Sequence, residues 1–162
     1  MMQTTAVVIG AGHAGLAMSR RLTDRSIDHV VLERGEVANS WRTQRWPSLR
    51  LLTPNWQTRL PGHPYAGDDP DGFMPAADLA ATLTGYARRI GAPVRTATTV
   101  HTVRTAGPGY QIQACDDLIC ARAVVVSDRF ICDMKRGPTM PVSSPMIKST
   151  ISSSSFRDQL SM

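Results

Sequence analysis

"AVVIGAGHAGLAMSRRL", residues Ala6 to Leu22, passes from an apolar run through three glycines into a segment of helical period. Residues 6–9 are short, wholly apolar and end at glycine, the pattern of a strand buried in a parallel sheet. Residues 14–23 read as a helix, with Leu16, Ser19 and Leu22 at helical spacing. Residues 30–32 follow as a second apolar strand after a polar turn near Asp28. Strand, helix and strand within about 30 residues make one βαβ unit.

Between strand and helix, Gly10, Gly12 and Gly15 form G-x-G-x-x-G. The first glycine permits the tight turn, the second lets backbone approach a pyrophosphate, and the third lets helix and strand pack closely. His13 and Ala14 complete the turn; His13 sits where its backbone counts for more than its ring. The helix N-terminus then presents free N–H groups to an anion. Glu33 ends the second strand about 20 residues further on, placed for a ribose hydroxyl pair. An acidic residue there repels the 2′-phosphate of NADP and leaves NAD or the adenosine half of FAD. Spacing does not separate those two.

The rest of the chain narrows the reading. With 162 residues there is room for one ordinary domain. No stretch reaches the roughly 18 to 20 apolar residues of a membrane span, and no secretory signal pattern opens the chain, so a cytoplasmic protein is expected. The net charge of +5 comes from arginines spread along the sequence without a basic run, which argues against nucleic acid. Three scattered cysteines, Cys115, Cys120 and Cys132, lack zinc spacing and read as reduced. Cys115 and Cys120 flank Asp116 and Asp117 and are expected to face each other across a hairpin. His29, His63 and His101 are isolated, and "GDDPDG" (67–72) lacks the remainder of a calcium loop, so no metal site is expected.

Residues 35–74 form a long connection rich in Pro, Gly, Asn and Trp. Trp41, Trp46 and Trp56 make it ordered and functional rather than disordered. Residues 76–90 read as a helix with Leu79, Leu83, Tyr86 and Ile90 on one face. "APVRT" (92–96) is a third strand; segments 98–103, 110–114 and 118–121 form a small meander, and 123–126 return separately to the parallel sheet. From Asp128 to Met162 alanine disappears, serine, proline and methionine dominate, and both lysines of the chain occur. That segment reads as a flexible tail or as the product of an interruption near Ser127.

Four stretches resemble the FAD-binding portion of the flavin-containing monooxygenase-like oxidoreductases, a group that includes the Baeyer–Villiger enzymes. They are "GAGHAG" (10–15), "LER" (32–34), "NSWRTQRWPSLRLLTP" (39–54) and "TTVHTV" (98–103). The resemblance implies FAD as cofactor, NADPH and oxygen as co-substrates, and a small-molecule substrate. It also implies that Glu33 and Arg34 meet the adenosine, that Trp41, Arg42, Leu52 and Thr53 lie by the flavin, and that the Val100 backbone meets the adenine. The family usually reads Gly-Gly-x-Trp where this chain has "ANSW" (38–41), so the paired glycines are missing. Its strand after the meander runs into Ala-Thr-Gly, whereas this chain reads "VVVSDRF" (124–130), and no second G-x-G-x-x-G follows.

The expected fold is therefore α/β: a Rossmann-like FAD/NAD(P)-binding domain over residues 1–127, with a parallel sheet and an antiparallel β-meander, incomplete at its C-terminal end. Residues 128–162 are the low-complexity tail. The expected function is that of an FAD-binding oxidoreductase, catalytically incomplete in this chain and with no catalytic side chain to name. A nucleotide-binding remnant and a small NAD-binding module are the alternatives. Self-association through an incomplete sheet is a further expectation.

Overall fold

Strand β1 (Met2–Ile9) goes from exposed to buried along its length, as its polar start gives way to Ala-Val-Val-Ile. The computed structural model describes residues 1–127; the expected tail and Cys132 lie outside them. Beside β1 lie β2 (His29–Leu32) and, beyond it, β3 (Val94–Arg95), both parallel to it in direction. On its other side β1 pairs in parallel with β6 (Asp117–Val126). The antiparallel meander of β4 (Val100–Ala106) and β5 (Gly109–Ala114) completes a six-stranded sheet of order β3-β2-β1-β6-β5-β4.

Among the described residues three α-helices accompany this sheet: α1 (His13–Thr23), the short α2 (Asn39–Thr43) and α3 (Ala76–Arg89). Alternation along the strands sends Val8, Val31 and Val125 into one core with Leu16, Leu79, Leu83 and Tyr86 of the helices. Their neighbours Val7, Ile9, Val30, Leu32 and Val124 meet Ile112 and Ile119 of the meander in a second core. Each fully buried Val, Leu or Ile side chain in these cores contributes roughly 1.5 to 3 kcal/mol. A buried pair fixes α1 to β2: the His29 Nδ1–H donates to the Ile27 carbonyl (2.9 Å), leaving Nε2 to accept from the Ser19 hydroxyl (2.8 Å). His29 is thus a core histidine.

Two expectations need correcting. Segments 118–121 and 123–126 are not separate strands but the two halves of β6. Its first half pairs with β5, from Ala114↔Asp117 to Tyr110↔Ala121, and from Ile119 to Val126 it runs beside β1. Arg122, which interrupts the apolar pattern, stands just where pairing with β5 stops. Cys115 and Cys120 do not face each other either. Cys115 occupies the turn at φ 50°, and Cys120 is opposite Gln111.

The connection between β2 and α3 is built like a zipped loop. Ala76 N–H donates to Leu49 O, Leu51 N–H to Met74 O, Asn55 N–H to Gly72 O and Trp56 N–H to Pro70 O, so its two limbs run antiparallel without forming strands. Tyr86 of α3 donates its hydroxyl to Pro61 O (2.8 Å) and stacks on His63. Burial raises the phenol's pKa above its ordinary value.

Candidate functional site

The phosphate turn is defined by backbone demands. Gly10 has φ 101°, a conformation closed to ordinary L-residues, and its N–H donates to Leu32 O (2.8 Å). A Cβ on Gly15 would run into the Gly10 carbonyl oxygen, so only glycine lets α1 begin this close to β1. Gly12 differs: a Cβ there would meet no protein atom within 4 Å. Its open side lines a cleft of about 240 Å³, together with His13, Ala14, Glu33, Arg34, residues 38–41 and Ser127. Gly12 is the residue before α1, where no side chain caps the helix and its first N–H groups are left for a ligand.

Glu33 is buried, and its carboxylate is already in use. Oε2 accepts from Ala11 N–H (2.8 Å) and Oε1 from Gly35 N–H (3.1 Å). These charge-assisted bonds tie the end of β2 to the middle of the turn. Each carboxylate oxygen retains a lone pair for a further donor. Glu33 and Arg34 also border a second, smaller recess with Gly10, Leu32, Thr98 and Val100. The structure thus gathers Gly10, Gly12, His13, Ala14, Glu33, Arg34, Trp41 and Val100 around two adjoining hollows, with Gly15 packed behind them.

Three expected residues stand elsewhere. Arg42 does not line the cleft: its guanidinium donates to Thr84 Oγ1 (2.9 Å) and Val37 O (3.4 Å), fastening α2 to α3. Leu52, 95% exposed, and Thr53 lie on the outer surface of the connection. The His13 ring, expected to be idle, reaches Arg59 O through Nε2 (3.3 Å). Among the described residues no group of three His, Cys, Asp or Glu converges on a metal position.

Two contributors escaped the sequence reading. Ser127 sets its N–H on Ile9 O (3.0 Å) and shares its hydroxyl between Ile9 O (2.8 Å) and Gly10 O (3.0 Å), so the end of β6 buttresses the phosphate turn. Ala38, buried at φ 61°, holds a left-handed conformation directly before α2. The resemblance puts a glycine there, and that glycine is the signal that would have found it.

A family model described as pyridine nucleotide-disulphide oxidoreductase matches residues 7–130. The chain belongs to this family. A CzcO-like oxidoreductase of Geobacillus kaustophilus is 31% identical over 122 residues, 75% of this chain and 34% of its own length. Indole-3-pyruvate monooxygenase YUCCA1 of Oryza sativa subsp. japonica is 35% identical over 98 residues, 57% of this chain and 24% of the relative. A solved flavin-containing monooxygenase from Stenotrophomonas maltophilia superposes with a TM-score of 0.67 at 29% identity, over 78% of this chain and 38% of that one. The flavin-monooxygenase likeness read from four short motifs therefore holds across the domain. The chain spans about a quarter to a third of the length of these curated relatives. Among the described residues no helix is long and apolar enough to cross a membrane.

Proposed function

We propose that this chain binds FAD and serves an NADPH- and oxygen-dependent oxidation of a small molecule, as the names of its relatives suggest. The carrying observation is Glu33: a buried carboxylate, oriented by two backbone N–H groups, at the join between an open phosphate turn and a second recess. The residues suit the dinucleotide. The turn and the first N–H groups of α1 would take the diphosphate, with Gly12 leaving room for it. Glu33 would accept from the adenosine ribose, and Thr98 and the Val100 backbone would border the adenine. Trp41 in the cleft wall would face the flavin end and exclude water there. Arg42 would act at a distance, by fixing α2; Leu52 and Thr53 are assigned to the flavin by the resemblance alone.

The bound flavin would supply hydride acceptance and oxygen chemistry; the protein's part is to hold, orient and shield it. Cys115 and Cys120 are both free, in keeping with the cytoplasmic location we propose. The test is a fluorescence titration of the purified chain with FAD and separately with NAD. FAD is expected to bind with its visible band perturbed and to outcompete NAD. Glu33→Ala should weaken FAD at least about tenfold through loss of a charge-assisted contact. Preference for NAD would instead identify a nicotinamide-binding module, and FAD affinity indifferent to Glu33 would remove the ribose from this site.

A further inference from the structure

Trp41 is the largest side chain in the wall of the cleft, and its seat is slight. It stands on α2, five residues long, which starts from the left-handed Ala38 without a side-chain cap. So short a helix has little stability of its own. The indole is half-buried: part of it packs on the core of Leu79 and Leu83, and part borders the cleft. Two arginines follow it in "WRTQR" (41–45), and they are spent differently. Arg42 gives its guanidinium to Thr84 Oγ1 and Val37 O. Arg45 stands four positions after Trp41, the spacing of neighbours on one helical face. Its guanidinium Cζ lies over the indole, 5.0 Å from the ring centre. Among the described residues that guanidinium makes no hydrogen bond or ion pair, so the ring is what holds it there.

We propose that Arg45 is a positioning residue: its guanidinium covers one face of the Trp41 indole and keeps the ring in the cleft wall. The consequence for the ligand rests on the proposed flavin site; the contact itself does not. A cation over the electron-rich face of an indole at an exposed site favours the seated ring by a factor of about two to five. Without it, the two side-chain torsions of Trp41 are free to turn the ring toward solvent. Shape alone does not replace the effect, because an uncharged chain of similar length covers the ring without attracting it. A lysine keeps the charge but loses the flat stack. The part of the ligand that feels the change is the part Trp41 would shield, the flavin end, and not the diphosphate or the adenosine.

Trp46→Phe and Trp56→Phe, both at exposed positions, leave Trp41 the sole emitter of the chain's three tryptophans. In that background, with circular dichroism to confirm folding, Arg45→Met should move the emission to longer wavelength and raise acrylamide quenching about twofold. Arg45→Lys should recover part of the loss. FAD should bind Arg45→Met about threefold more weakly, whereas ADP, which lacks the flavin half, should bind it as well as the parent. Emission and quenching unmoved by Arg45→Met, or FAD and ADP weakened alike, would overturn the proposal. A parent chain that binds ADP but not FAD would overturn the flavin reading instead. The emission comparison, made without ligand, then still decides whether Arg45 holds the ring.

Discussion

The phosphate turn and the long connection both wall the cleft, but they are held in opposite ways. In the turn, three elements meet within a few ångströms: Ala11 N–H on Glu33, Gly10 N–H on Leu32, and Ser127 on Ile9 and Gly10. A single atom added to Gly15 has nowhere to go. The connection has its polar ties spread over some 25 residues, and it leaves Trp46, Leu52, Trp56 and Phe73 exposed. Tight geometry concentrates sensitivity in one or two atoms, whereas a zipped loop shares it out.

That contrast predicts a gradient of effects. Gly15→Ala should be the most damaging, because the new methyl meets a backbone oxygen that cannot swing away. Urea unfolding should show a loss of about 3 kcal/mol or more. Gly12→Val separates shape from stability within the same turn: the thermal midpoint should stay within about 2 °C while ADP and FAD bind at least about a hundredfold more weakly. A Gly12→Val variant that binds normally would break the reading of the cleft. In the connection, Asn55 donates to Asp69 O (2.8 Å) from a buried position, and its Oδ1 has no partner. Asn55→Ala should therefore cost only about 1 kcal/mol and show chiefly as faster proteolysis between residues 50 and 75. Ala38→Gly should be the mildest. Relief of about 1 to 2 kcal/mol of left-handed strain is offset by roughly 0.8 kcal/mol of lost methyl burial and by glycine's entropy. The unfolding free energy should move by less than about 1 kcal/mol.

The same contrast governs what could be read in the sequence. The βαβ unit is local, so three glycines, two apolar runs and one acidic residue were enough to find it and to motivate the dinucleotide proposed for it. The connection is set by bonds between residues 14 to 27 positions apart, such as Asn55 to Asp69 and Leu49 to Ala76, and no short-range pattern records them. Residues 118–121 and 123–126 read as two strands because Arg122 stands between two apolar runs. It is a solvated residue in a continuous strand that changes neighbours. Ser127 escaped because its partners, Ile9 and Gly10, lie more than a hundred positions earlier, where no local pattern points. Arg42 was assigned to the flavin by its motif, but its side chain is long enough to choose Thr84 instead.

Strand β6 carries one more consequence. Because its first half completes the meander and residues 119–126 flank β1, neither layer can come apart without breaking the strand they share. The domain should therefore melt as one foldon, in a single cooperative transition. Deuterium uptake should be slowest, and matched, at the amides of Val8 and Ile119, one from each layer, with global unfolding as their common route to exchange. The amides between residues 40 and 70 should exchange earlier, through local opening that leaves the shared strand intact.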